Sequence, residues 1–176
     1  MPKQKGFSLI ELLIVIAIIL IIAAIAIPNL LRARIAANEA SSVSSIRTIN
    51  TAQATYVTGY PTTGYSATLA ALGPGGVGSV CPAGGPVVGN ACLIDSNLSN
   101  ATVAANAKSG YVYGMAATAV AGINVQYAVG SAAASFNITG VRGFCSQEDA
   151  VIRFTATLNG VPITTNAACA AYTLLQ

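Results

Sequence analysis

The chain has 176 residues, 54% of them hydrophobic and only 7% charged, with a formal net charge of +3 at neutral pH and no histidine. Such sparse charge leaves no clustered basic footprint for DNA or RNA. Without histidine the chain also lacks the Ser-His and Cys-His bases and the usual metal ligands, while its length suits one leader, one long helix and one globular head with its own core.

In chain order, the first feature is the short basic stretch Met1-Pro2-Lys3-Gln4-Lys5-Gly6, followed by an apolar run from Phe7 to Ile27 that is interrupted only by Ser8 and Glu11. As a helix the run is roughly 31 Å long, close to the thickness of the hydrocarbon core of a bilayer. Lys3 and Lys5 are expected on the cytoplasmic side and the rest of the chain outside. An ordinary secretory signal is cut after its apolar region, at small residues. Here the small residue, Gly6, precedes that region, so a cut there would keep the helix in the product.

The residues Gly6-Phe7-Ser8-Leu9-Ile10-Glu11-Leu12-Leu13 resemble the start of type IV pilins and the related pseudopilins, whose precursors carry a short basic leader, Gly, Phe and then a Ser/Thr-Leu-Ile-Glu-Leu stretch. The resemblance covers roughly the first fifty residues well and the remainder only loosely. It implies cleavage between Gly6 and Phe7 by a membrane aspartyl peptidase that also methylates the new amine of Phe7. It further implies a ladle-shaped α+β fold, with a long N-terminal helix packed on an antiparallel four-stranded head.

Glu11 also has a reading from physical chemistry alone. A carboxylate in a membrane helix costs about 2.5–3.5 kcal/mol on insertion scales and is expected to find a partner. The next cation along the chain is Arg32, beyond the span, so the α-amino group created at Phe7 is the obvious one, within a subunit or between two. The resemblance implies the intermolecular version, in which the glutamate of an incoming subunit neutralises the amine of one already in a filament. The plainer alternative is an acid tolerated near the headgroups.

Pro28 lacks a backbone donor and crowds the carbonyl of Ala24, so a kink or local break is expected there. Helical pattern resumes at once. Ile35, Val43, Ile46, Ile49 and Tyr56 fall near helical spacing, with Ser41, Ser42, Ser44, Ser45, Arg47 and Thr48 mostly assigned to other faces. Residues 7–28 form the membrane and filament-core half of one helix, and 29–58 its amphipathic half, together roughly 75 Å long. The resemblance implies loss of helix before Pro28 in a filament, but Leu20, Ala23 and Ala24 stand where many members carry a glycine, and alanine favours helix.

Residues 59–109 form a connecting region. Gly59 and Pro61 end the long helix, a turn follows over Tyr60–Tyr65, and a short helix is expected over Ser66–Leu72. The cluster Gly73-Pro74-Gly75-Gly76-Val77-Gly78 lacks the Gly-Lys-Ser/Thr and the preceding strand of a phosphate loop and is assigned as surface loop. Residues 110–176 form the head sheet with a C-terminal tail. Four β-prone runs, Tyr111–Thr118, Ile123–Val129, Gly140–Cys145 and Val151–Leu158, are separated by Gly122, Gly130 and the Gln147-Glu148-Asp149 turn and predict an antiparallel meander. The residues 140–144 and 151–154 also resemble the closing hairpin of pilin-like heads.

Four cysteines in an exported chain are expected to pair, and three connectivities are open. Cys81 with Cys92 and Cys145 with Cys169 is the preferred set: the first closes a loop of ten enclosed residues, and the second ties the tail to a strand. Zinc is disfavoured by the lack of histidine and of a Cys-x-x-Cys pair.

Of the five acids, Glu11 lies in the span, Glu39 on the helix, Asp95 in a loop, and Glu148 and Asp149 in a turn, with no pair spaced for acid-base work and no EF-hand pattern for calcium. No catalytic residue, metal or cofactor is expected. The resemblance implies a structural subunit of a type IV pilus, polymerising through its N-terminal helix. Its partners would be other copies of itself, the processing peptidase and methyltransferase, an inner-membrane assembly platform and the membrane. The subunit would begin in the inner membrane with its head in the periplasm and end in an extracellular filament. A pseudopilin of a type II secretion system and a membrane-tethered extracytoplasmic binding domain are the alternatives. The sequons at Asn97, Asn100 and Asn137 are candidate glycan acceptors.

Overall fold

A computed structural model describes residues 6–75, 79–156 and 160–175. Lys3 and Lys5 of the leader, the Gly76-Val77-Gly78 end of the glycine cluster, and the Thr157-Leu158 end of the fourth expected strand lie outside the described residues. The chain divides into two compact units, Met1–Arg34 and Ile35–Gln176.

The first unit is the start of helix α1, Leu9–Gly59. Nearly all its described side chains are exposed: Leu12, Ile16, Ile19, Ile22 and Ile27 are each about half exposed or more. One eighteen-residue window has a mean hydropathy of 3.3 with none of it buried, and the helix is long and apolar enough to cross a membrane. The helix continues through Pro28 without the local break that was one of the two expected outcomes. Just beyond the proline, the Asn29 carboxamide donates to the Ile25 carbonyl at 3.1 Å, adding a second donor in the turn where proline removes one.

The second unit is an α+β head. Its sheet is an antiparallel meander of five strands in sequence order: β1 Tyr111–Val120, β2 Ile123–Ala133, β3 Gly143–Gln147, β4 Arg153–Thr155 and β5 Thr173–Leu174. The meander agrees with the sequence reading, with one strand more than expected. β5 is only two residues long, too short to show alternation, and pairs Thr173 with Phe154 and Leu174 with Arg153. β1 and β2 are joined by Ala121 and Gly122, both with positive φ, the two-residue turn whose twist suits a hairpin.

Gly130 was expected to end the second strand, but β2 runs through it to Ala133. The reason is close approach. The backbone of Ile163 crosses the sheet directly over Gly130, and any side chain there would collide with the Ile163 carbonyl. Glycine here admits a crossing segment instead of breaking a strand. The third strand likewise begins at Gly143, three residues later than expected.

Between α1 and the sheet lie α2, Leu69–Leu72, and α3, Ser96–Ser99, each capped by a side-chain oxygen. Thr68 Oγ1 accepts from the Ala71 amide and Asp95 Oδ1 from the Leu98 amide, satisfying donors that a helix start leaves open. A last short helix, α4, spans Asn166–Ala170. The core joins Val43, Ile46, Ile49 and Tyr56 of α1 to Leu72, Leu98, Tyr111, Tyr113, Val129 and Phe144. Ile46, Ile49, Val43 and Tyr56 are buried as their spacing requires.

Ser42 and Ser45 are buried too, contrary to their assignment to other faces. Their small side chains let α1 approach the sheet closely, and the Ser42 hydroxyl meets the Ser131 hydroxyl at 2.7 Å. Both expected disulfides form, Cys81–Cys92 and Cys145–Cys169, with Cα atoms 5.9 and 5.8 Å apart. The second fixes α4 to β3, so that the tail can return and pair as β5.

Candidate processing and assembly site

The segment that organises the sequence also has the clearest local geometry. Gly6 and Phe7 precede the first turn of α1 and are exposed, Phe7 to 78%. Glu11 lies in the first turn, and its Oε2 accepts the Ser8 backbone N–H at 2.9 Å. Ser8 is the residue just before the helix, so Glu11 reaches back to one of the amides that no helical carbonyl can satisfy. This is one half of a capping box, and its signature was present in the sequence as Ser8-Leu9-Ile10-Glu11 ahead of an apolar run. Glu11 thus has a partner even in the uncut chain, one residue beyond the Gly6–Phe7 bond. Its negative charge also lies at the positive end of the helix dipole. On the described part of this segment nothing covers the apolar side chains that follow.

A different constellation anchors the head. Glu39 is 6% exposed, and its Oε1 accepts the backbone amides of Val141 and Arg142, each at 3.0 Å. Its Oε2 takes both the Nε and an Nη of Arg142, at 2.8 and 2.7 Å. Burial is the largest single influence on this carboxyl and pushes its pKa up. The Arg142 and Val141 amides and the Arg142 guanidinium together outweigh it, leaving the pKa below its ordinary value of 4.5. The guanidinium also lies 5.6 and 5.5 Å from the ring centres of Phe144 and Phe154. The hydroxyl of Tyr111 donates to the Arg142 carbonyl at 2.7 Å, and burial pushes that phenol's pKa up.

Further along α1, a row of polar side chains is satisfied by the head. Asn38 donates to the Thr139 carbonyl, Asn50 to the Ser146 hydroxyl, and the Tyr127 hydroxyl to Asn50 Oδ1. The Gln53 carboxamide takes both backbone groups of Ser66, donating to its carbonyl and accepting its amide, each at 2.9 Å. None of these residues was singled out in the sequence as an anchor. Glu39, Ser42, Ile46, Ile49, Asn50 and Gln53 nevertheless share the helical spacing of the buried face, and a polar residue on that face is the signal that could have found them.

The remaining acids take structural roles. Asp95 caps α3 and meets Lys108 at 3.5 Å. Asp149 pairs with Arg153 four residues on. Among the described residues no three His, Cys, Asp or Glu side chains gather in a way that could hold a metal ion. Of the three sequons, Asn100 spends its amide on the Ser96 and Gly75 carbonyls, whereas Asn97 and Asn137 are exposed.

Comparison with known proteins bears on the N-terminal segment. Residues 1–27 match the family model of the prokaryotic N-terminal methylation motif. The type IV major pilin protein PilA of Myxococcus xanthus is 42% identical over 55 residues, 31% of this chain and 25% of that protein. The type IV wide pilus major component PilA4 of Thermus thermophilus is 69% identical over 39 residues, 22% of this chain and 30% of that protein. The chain therefore matches less than a third of the length of either relative, and no solved structure matches it. The N-terminal segment thus matches a prokaryotic N-terminal methylation motif, and over that stretch the chain is similar to type IV major pilins.

Proposed function

We propose that the chain is the structural subunit of a type IV pilus, stored in the inner membrane through the exposed start of α1 and polymerised through the same surface into an extracellular filament. The observation that carries this reading is the union, in one segment, of a methylation motif and a helix whose apolar side chains have no cover. Cleavage before Phe7 leaves that helix in the product and creates an ammonium one residue from the Ser8 amide that Glu11 already holds. The carboxylate is thereby placed to receive an amine, its own or that of a neighbouring copy. Outside lipid, packing of the helices against one another removes their methylenes from water, each contributing about 0.8 kcal/mol. Other copies of the chain, a processing peptidase and methyltransferase, and an assembly platform are the partners this reading requires.

The test joins electron microscopy of fibres sheared from the cell surface to mass spectrometry of their main protein. A thin filament built from a chain that begins at Phe7, with a methylated amine, is the expected result. A chain cut at Phe7 but confined to the inner membrane would instead make it a pseudopilin. An uncut chain beginning at Met1 would leave only a tethered domain.

A further inference from the structure

The head from Ile35 onward carries four cations, Arg47, Lys108, Arg142 and Arg153, and four carboxylates, Glu39, Asp95, Glu148 and Asp149. Three pairs form within the subunit: Arg142 with Glu39, Lys108 with Asp95 and Arg153 with Asp149. Among the described residues of the head, Arg47 and Glu148 are the two left without an ion pair. They have opposite signs on a surface otherwise neutralised internally.

Arg47 is exposed on α1, beside an open groove of about 500 Å³ that it lines with Asn50, Thr51, Ala54 and Ala150. The sheet faces α1 through Tyr127 and Ser131, which bond to Asn50 and Ser42. Gln126 and Gly130 alternate with those residues and take the other face, where the Ile163 backbone crosses Gly130. Glu148 is held toward that far face: its Oε2 accepts from the Asn166 amide of α4 at 2.7 Å and its Oε1 from Gln126 at 3.4 Å. Arg47 lies on the α1 side of the sheet and the Glu148 carboxylate is turned to the other face, and the two do not pair within the subunit. A head-to-tail contact between them, repeated from copy to copy without closing on itself, builds an open helical polymer.

We propose that Arg47 of one subunit seats Glu148 of a second copy, and that this ion pair sets the register of neighbouring heads. The inference rests on the filament reading but adds a surface, a partner and two residues to it. Charge complementarity of this kind supplies specificity and register more than bulk affinity.

The full-length chain with Arg47→Glu, and separately with Glu148→Arg, is expected to yield about fivefold less sheared fibre, the upper range for an exposed pair. The double reversal is expected to restore the yield, which a folding defect in either single variant would not allow. In fibres of Arg47→Lys, a zero-length carbodiimide is expected to join Lys at 47 to Glu148 and give dimers and higher multimers on a denaturing gel. Normal fibre from both single reversals, no recovery in the double variant, or a cross-link found only within monomers would overturn the pairing while leaving the filament reading in place. Failure of the unmodified chain to form any filament would overturn both.

Discussion

Two stretches of the same helix live in opposite environments. Between Leu9 and Leu31 almost every side chain is apolar and exposed, and the one carboxylate is satisfied by a backbone amide three residues away. Between Asn38 and Tyr56 half of the buried side chains are polar, and the head supplies their hydrogen-bond partners at Glu39, Ser42, Asn50 and Gln53. Secondary structure does not distinguish the two stretches. What differs is where the burial comes from. The later stretch is buried within its own subunit, while the earlier one carries an apolar surface left exposed; on the proposed filament reading, the earlier stretch serves assembly and the later one stability.

That division can be broken most severely at Glu11. Glu11→Ala removes the one carboxylate of the span, and the expected outcome is loss of fibres by electron microscopy. Urea unfolding of the head in detergent should be unchanged, because the hydrogen bond Glu11 makes is to Ser8 within its own turn. A head destabilised by this substitution would show that the two stretches are not independent.

Next in size is the Cys145–Cys169 bridge, which closes a loop of separation 24 and joins β3 to α4. By chain entropy, replacing both cysteines with alanine is expected to cost about 3.5 kcal/mol, against about 2.8 for the Cys81–Cys92 loop of separation 11. Urea unfolding of the two double variants measures the difference. The first should also release β5, seen as faster amide exchange at Leu175, whose N–H donates to the Ile152 carbonyl.

Arg142→Ala follows, leaving Glu39 buried with two amides but no countercharge. The cost is expected at about 2–3 kcal/mol, below the full range for a buried pair because the Arg142 side chain is 41% exposed. The pH dependence has a definite sign. The folded pKa of Glu39 lies below 4.5, so the unfolded chain binds the proton more readily. Its stabilisation is therefore full above that value and is lost as pH falls through the folded pKa. Asp149, lowered chiefly by its bond to Arg153, adds a smaller contribution with the same sign. Glu39→Gln should flatten the acid limb of stability against pH, and an unchanged limb would place the acid sensitivity elsewhere.

How much of this was legible in the sequence depended on whether a feature is local. The motif at Gly6–Glu11, the amphipathic spacing from Val43 to Tyr56 and the meander are properties of neighbouring residues, and they appear as read. The tail strand β5 was hidden because two residues carry no periodicity and its pairing depends on a distant disulfide. Glu39 looked like any helix acid, since its partner Arg142 is 103 residues away along the chain. Gly130 looked like a strand end because nothing local says that Ile163 will cross it. Ser42 and Ser45 were assigned outward by polarity, although at a tightly packed helix-sheet contact small size outweighs polarity once the hydroxyl has a partner.

The smallest effect gives the finest comparison, between hydroxyls on the two faces of the later stretch. On the outer face Thr48, Thr51, Thr55 and Thr58 each donate to the carbonyl four residues earlier, at 2.9–3.1 Å. These bonds replace water and add little, while the β-branched side chain restricts the helix. Thr55→Ala is therefore expected to stabilise the head by up to about 0.5 kcal/mol. Ser42→Ala changes a similar group on the inner face but strands the Ser131 hydroxyl in a fully buried position, and is expected to cost about 1–2 kcal/mol. Thermal unfolding of both variants tests the sign as well as the size. If Thr55→Ala were as costly as Ser42→Ala, the outer hydroxyls would be bound by something other than their own helix, and the outer face of α1 would not be the bare surface that the proposed filament contact needs.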